Sequence, residues 1–366
     1  MVLRTAITRL LILLQAAPIP YGGQAAIEGV MMKGDKHAAL AMRRRDGSIE
    51  LIDRQVTSRF PWLVKLPFVR GFFVLWDMLT LGLWALRESS HRYELDLEAE
   101  EAEKRGETPQ QTSSNAAPIS FAQTIMIGIS LVIALLLFKV LPAAATTGVF
   151  TWLGFGPFRE MVNVGFSHQL LANLIEGAIK LAIFIGYVWG VGQIADIARV
   201  FKYHGAEHIV INAYESDSER VQDISFIQTH TTAHPRCGTS FIVILVLLSV
   251  LLFTIMDWAI VSWWPQLVVD NIPVWYIRWP LRIIGLIPLA GISYEVVKAA
   301  FRYYHNPLLK PLLRFGMLFQ ALTTRKPTEA EIEVSLASFN RARYLSEGIM
   351  EPPLPSARAV ASPNIA

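Results

Sequence analysis

The sequence predicts a mainly α, helical integral membrane protein with about four transmembrane helices and a small cytosolic β element near the N-terminus. Three observations carry that reading. Of the 366 residues 53% are hydrophobic and only 17% charged, against ~25% charged in ordinary soluble domains, and mean hydropathy is positive at +0.39. Two stretches, 118–138 and 238–256, contain no charged residue, and a bilayer-spanning helix needs about 20 mostly apolar residues. Between Tyr21 and Val56 short apolar runs replace long ones, and Asp46-Gly47 separates the last two. That pair marks a hairpin, because glycine accepts the positive φ of a tight turn.

Taken in order, residues 1–20 form an N-terminal segment in which Thr5–Ala17 is apolar but lacks a clean charged leader followed by a long enough core and a convincing small-residue cleavage site before Pro18, so it is not read as a signal peptide. Residues 21–59 are the β element. Residues 60–92 are apolar and aromatic but interrupted by Lys65, Arg70 and Asp77, which predicts an amphipathic helix on or dipping into the membrane. Residues 93–117 carry an acidic run followed by Ser, Thr, Gln, Pro and Ala, a composition too polar to order itself, so a disordered linker is expected.

Residues 118–305 form the transmembrane domain, with spans at 118–138, 170–195, 238–256 and 275–300. The second contains Glu176 and Lys180, which can neutralise each other at i,i+4 spacing. In the fourth, Arg278 and Arg282 can snorkel while Trp275, Tyr276 and Trp279 sit at the interface. The loop between the second and third spans carries Arg199, Lys202, Arg220 and Arg236, whereas on the opposite side 139–169 holds Lys139 and Arg159 and 257–274 holds none, Arg278 lying at the start of the fourth span. Positive residues collect on the cytoplasmic side, so both termini and the loop 196–238 are expected in the cytosol of a bacterial cytoplasmic membrane. A helical region at 306–345 and a disordered tail at 346–366 complete the chain.

Composition also excludes functions. The net charge of +3 and scattered basic residues argue against nucleic acid. The expected partners are the lipid bilayer and a membrane protein. There is no Gly-rich phosphate loop or dinucleotide fingerprint. A single cysteine, Cys237, cannot form an intrachain disulfide, which leaves a buried bystander, a reactive thiol or a ligand.

Chemistry concentrates in His204-Gly-Ala-Glu207-His208. Imidazoles four apart on a helix face the same way with a carboxylate beside them, which is a metal-site spacing. His230, His234 and Cys237 follow within thirty residues, so four or more potential ligands cluster while an isolated loop histidine would be unremarkable. The order resembles the inverted zincins, in which two histidines hold zinc and the carboxylate activates water. This reading assumes that the second span continues as a helix through His208, an assumption that the β-branched run Ile209-Val-Ile weakens.

Several segments resemble one family: GGQAAIEGVMMKG at 22–34, RGFFVLWDMLTLGLWAL at 70–86, YHGAEHIVINAYE at 203–215, HPRCGTSF at 234–241, GISYE at 291–295 and LTTRKP at 322–327. The chain is similar to the YqhQ-like bacterial membrane proteins, described as predicted metal-dependent enzymes. The resemblance implies His234 in preference to His230. The expected ligand set is then His204, His208, His234 and Cys237 around zinc or another divalent transition metal, with Glu207 as the catalytic carboxylate. Glu28, Arg236 and Glu295 are candidates for orienting the ligands from outside, Glu295 alternatively pairing with Lys298 or Arg302.

Four ligands would close a tetrahedral shell and make the metal structural. If one of the four, such as Cys237, stands aside, a position opens for water and the site is catalytic. Two functions therefore remain: a metal-dependent hydrolase acting at the cytosolic face on a peptide or lipid-derived substrate, and a non-enzymatic membrane scaffold or assembly factor with structural zinc.

Overall fold

The computed structural model describes residues 21–58, 60–106, 121–152, 166–235, 237–264, 266, 268–269, 272–273, 275–302, 310–348 and 357–360. The N-terminal segment, including Thr5–Ala17, and Arg236 lie outside the described residues.

The β element is an antiparallel meander of β1 (Gly22–Ala26), β2 (Gly29–Lys33), β3 (His37–Arg43) and β4 (Ile49–Gln55). Gly47, at φ +82°, makes the expected turn. Strand alternation divides the apolar residues between two faces. Val30, Met32, Ala39, Ala41, Ile49 and Leu51 point one way, and Met31, Ala38, Leu40, Met42 and Ile52 the other. Both faces are apolar, so both must be covered.

The covering helices come from distant parts of the chain. Helix α1 (Arg70–Lys104) lays Leu81 and Ala85 on the second face. Its later turns meet polar residues at the sheet's rim, where Arg92 pairs with Glu50 at 2.8 Å and Arg44 with Asp96 at 2.6 Å. The acidic run expected to be a disordered linker is therefore helical as far as Lys104, because Arg44, Arg45 and Lys104 supply the countercharges for Asp96, Glu103 and Glu100. Residues 107–117 lie outside the described residues.

A continuous helical run follows, comprising α2 (Phe121–Leu135), a π-helical turn (Leu136–Val140) and α3 (Leu141–Trp152). Helix α4 (Phe166–Val191) ends at a turn, and α5 (Ala195–Ser216) starts after Ile194, whose ψ of 130° is extended. The histidine-bearing helix is thus not a continuation of the span before it. Its β-branched run stays helical because Ile209, Val210 and Ile211 are buried against the sheet, where packing outweighs intrinsic propensity. The short α6 (Ile224–Ile227), then α7 (Gly238–Trp263) and α8 (Trp275–Arg302) come next, separated by a minimal hairpin of β5 (Val268–Val269) and β6 (Ile272–Pro273).

Among the described residues, three helical segments are long and apolar enough to cross a membrane: Asn173–Val191, Phe241–Ile260 and Pro280–Ala299. The run expected as a span at 118–138 contributes the shorter apolar segment Gly128–Phe138.

Helices α9 (Lys310–Leu318), α10 (Gln320–Thr323) and α11 (Glu329–Glu347) bring the chain back to the sheet. Helix α11 begins with a capping box between Thr328 and Glu331 and ends at Gly348, φ +67°, both common helix-terminal devices. Its Ser338 hydroxyl accepts from the Met32 N–H at 2.9 Å and donates to the Ala39 carbonyl at 2.8 Å, tying the helix to the middle of the sheet. Together α5 and α11 cover the first face. Within the tail expected to be disordered, β7 (Ala357–Val360) pairs in parallel with β4, whose open edge presents unpaired backbone groups.

Two close approaches join α1 to α8. A Cβ on Gly71 would lie 2.5 Å from that of Tyr294, and one on Gly291 would lie 1.4 Å from the Phe68 carbonyl oxygen. Beside them the Arg70 guanidinium grips Glu295 through two hydrogen bonds of 2.6 Å. One helix therefore bridges the apolar bundle and the α/β layer.

Candidate metal centre

Helix α5 carries its functional residues between the sheet and the segment leading to α11. Gly205 makes this placement feasible, since a Cβ there would lie 2.0 Å from the Arg325 carbonyl oxygen. With no side chain in the way, the Arg325 N–H donates to the Phe201 carbonyl at 2.9 Å, and the neighbouring Thr323 carbonyl reaches Nδ1 of His204 at 2.9 Å. One turn on, Nδ1 of His208 meets the carbonyl of Thr232. That carbonyl is held in position by Asn212, whose amide donates to the carbonyls of Thr231 and Ala233 on either side, at 2.7 and 3.1 Å.

Both imidazoles thus have Nδ1 against a backbone acceptor, which fixes the proton there and leaves Nε2 as a lone-pair donor. The two rings lie 4.5 Å apart, centroid to centroid. The His204 Nε2 is 3.4 Å from Sγ of Cys237. Ligand atoms of His204, His208 and Cys237 all lie within 4.8 Å of one another. Cys237 arrives there as the residue preceding the first turn of α7. Burial lowers the pKa of His208, with Cys237 pulling the other way, so the ring is neutral as a ligand must be. Its Nε2 is buried, and the side chain that hydrogen-bonds the ring is Cys237. Two imidazoles and a cysteine sulfur are a donor set suited to zinc and similar divalent ions.

Glu207, 5% exposed, turns toward β1 and is not among the clustered ligand atoms. The Gly23 N–H of β1 donates to its carboxylate, and a Cβ on Gly23 would come within 3.0 Å of it. The glycine-rich start of β1 is thus a cradle for this side chain. Burial pushes the Glu207 carboxyl up from its ordinary value, opposed by the nearby His204 and His234 and by the Gly23 N–H. Its Oε2 is buried with no hydrogen-bond partner.

His234 is placed apart from the three clustered ligands. Gln320 clamps its backbone, accepting from the His234 N–H at 2.7 Å and donating to its carbonyl at 2.6 Å. Its ring lies 5.7 Å from that of His208, centroid to centroid, and its Nε2 is 3.5 Å from the Glu215 carboxylate. Burial pushes its pKa down to about 4. His230 stays on the far side of the loop, its Nδ1 at the Phe226 carbonyl and its ring on that of Phe226.

The candidate outer residues Glu28 and Glu295 are elsewhere. Glu28 occupies the β1–β2 turn with φ +53° and pairs with Arg199 at 2.6 Å and the Tyr203 hydroxyl at 3.3 Å. Glu295 is the partner of Arg70, rather than an imidazole, Lys298 or Arg302. The groups that do orient the imidazoles are backbone carbonyls of Thr232 and Thr323, with Asn212 and Gln320 holding the loop. Residue types cannot reveal such acceptors, although Thr323 lies in the LTTRKP segment and Gly23 in the GGQAAIEGV segment already singled out.

Comparison with known proteins agrees with the resemblance noted from the sequence. The chain is 34% identical over 344 residues to the "Uncharacterized protein YqhQ" of Bacillus subtilis (strain 168), an alignment covering 92% of this chain and 96% of the relative. No solved structure matches it. A family model described as "Protein of unknown function (DUF1385)" matches residues 66–344, a stretch containing the His204, His208 and Cys237 cluster, and the chain belongs to that family.

Proposed function

We propose that this protein is a metal-dependent hydrolase of the bacterial cytoplasmic membrane, working at the cytosolic membrane surface on a peptide or lipid-derived substrate. The three apolar helices, with the run 121–152 as a fourth crossing, embed it. The exposed Trp62 and Phe68 before α1, with Trp76, Leu79 and Leu83 in its first four turns, rest that end of the helix on the bilayer. The excess of Lys and Arg between α4 and α7 puts the site and both termini in the cytosol.

One observation carries the reading. His204, His208 and Cys237 converge with His234 outside the set, so three protein donors meet here and the fourth position of a tetrahedral shell is left to a non-protein ligand. Structural zinc sites use four protein ligands, and catalytic ones keep a position for water or substrate. When bound, such an ion supplies Lewis acidity and a water acidic enough to react near neutral pH. Glu207 is the proton acceptor at this site. Its Oε2 has no competing hydrogen bond, and its raised pKa brings the carboxyl closer to the range in which a group can accept a proton and return it to a leaving group. Gly23 fixes the carboxylate from behind. The Thr323 and Thr232 carbonyls hold the imidazole rings.

A second reading rests on His234. Its ring is close enough to that of His208 that a modest loop movement would close the shell and leave a structural metal, in a scaffold that docks another membrane protein. X-ray absorption on zinc-loaded protein separates the two. The hydrolase reading expects two nitrogen donors and one sulfur from the protein plus a light oxygen ligand. Four protein donors would favour the scaffold, and failure to bind zinc would remove both readings.

A further inference from the structure

The residues of the histidine cluster differ in exposure. His208 and Glu207 are buried, Glu207 against Gly23 of the sheet. His204 and Cys237 keep part of their surface open. Access to the three donors is therefore by way of these two.

Both lie where the chain leaves the apolar bundle. Cys237 immediately precedes α7, whose membrane-crossing segment begins at Phe241. Four residues of helix rise about 6 Å, and the headgroup layer on each side of a bilayer's hydrocarbon core is about 5–8 Å thick. His204 is tied to the end of the span in α4 through Arg325. That guanidinium donates to the carbonyl of Gly192, one residue beyond the span's last residue, Val191, while the Arg325 N–H donates to Phe201 in the turn before His204. The segment carrying the Thr323 carbonyl, which meets Nδ1 of His204, follows α9, and α9 packs on α7.

Exposed apolar side chains stand along these same pieces of chain: Trp189 near the end of α4, Ile194 in the turn after it, and Leu318 at the end of α9. Water disfavours such a surface and lipid covers it. A cluster at headgroup depth, open beside the ends of two spans and bordered by apolar side chains, is reached by a bilayer lipid more directly than by a soluble peptide. The polar groups of a glycerolipid nearest its hydrocarbon chains are the acyl ester carbonyls.

We propose that the substrate is a glycerolipid of the cytosolic leaflet, hydrolysed at an acyl ester; this rests on the hydrolase reading above and names its substrate class. One water adds to the ester carbonyl carbon and gives its proton to Glu207. The C–O bond to glycerol breaks, and the glycerol oxygen takes that proton. A fatty acid and a lysolipid are the products.

Two measurements on the full-length protein in phosphatidylglycerol nanodiscs test this. The first is independent of activity: a nitroxide on Ile194→Cys, in a Cys237→Ser background, should report headgroup depth by collision with oxygen and a water-soluble nickel chelate. A nitroxide in bulk water would overturn the proposal. In the second, zinc-loaded protein is given phosphatidylglycerol labelled in both acyl chain and headgroup and, separately, p-nitrophenyl acetate and a water-soluble peptide mixture. Release of labelled fatty acid, lost in Glu207→Gln, is the expected result. In Leu318→Asp the ratio of lipid to p-nitrophenyl acetate hydrolysis should fall about tenfold, the worth of one buried leucine. Release of the headgroup without fatty acid would overturn the ester assignment. Glu207-dependent cleavage of the peptides or of p-nitrophenyl acetate with the lipid left intact would overturn this substrate and leave the hydrolase standing, whereas cleavage of none of them would overturn both.

Discussion

The α-carbon of Gly205 sits so near Arg325 that a methyl group there would lie 2.0 Å from its carbonyl oxygen. The glycine inside the histidine motif is therefore a packing requirement that lets the backbone at Thr323 reach the ring of His204. Gly205→Ala should push α5 away from this segment, cost about 1–3 kcal/mol in the manner of overpacked cores, and reduce zinc retention. A lower melting temperature together with zinc loss on dialysis is the expected outcome; unchanged values for both would show that the contact is easily relieved.

Metal content should distinguish the four residues first grouped as ligands. His204→Ala, His208→Ala and Cys237→Ser are each expected to lose bound zinc by elemental analysis, while His234→Ala keeps about one equivalent, because His234 lies outside the three-donor cluster. Loss of zinc in His234→Ala at unchanged stability would make it the fourth ligand.

Glu207→Gln keeps the shape of the buried carboxylate and removes its basicity. Zinc binding should survive. Activity should fall on the order of a hundredfold or more, as when a general base is removed. The amide matching wild type in turnover would exclude Glu207 as the proton acceptor.

Alkaline pH should destabilise the α/β layer through its tyrosines. The Tyr21 hydroxyl donates to Glu347 at 2.6 Å, and burial, reinforced by that carboxylate, raises its pKa above the ordinary 10.0. Burial also raises Tyr203 and Tyr214. A phenol whose folded pKa is raised contributes stability that is complete below about pH 10 and declines as pH rises through and beyond that value. Melting temperature should therefore fall as pH rises above about 10, less steeply in Tyr21→Phe. An unchanged slope in that variant would mean that other groups dominate.

The Arg70–Glu295 pair, partly exposed at 22% and 19%, should hold α1 to α8. Glu295→Gln is expected to cost about 1–2 kcal/mol, between exposed and buried pairs, to increase proteolysis near 60–70, and to leave zinc content unchanged. Zinc loss in this variant would connect Glu295 to the metal site after all.

What the sequence by itself determined was the local part of the fold: the apolar helices, the Asp46-Gly47 hairpin, and the pairing of His204 and His208 on one helix face. These follow from composition, turn chemistry and helical periodicity, all carried by neighbouring residues. Tertiary structure decided the rest. The acidic run near 94–104 is helical because Arg44 and Arg45, fifty residues earlier, neutralise it. Ile209-Val-Ile is helical because a sheet and α11 bury it. Cys237 joins the histidines across 33 residues while His234, three residues before it, is held aside by Gln320. Glu28 and Glu295 find arginines on other helices instead of an imidazole. Each of these outcomes depends on which distant groups arrive to neutralise a charge or satisfy a backbone carbonyl, and those identities are set by three-dimensional packing.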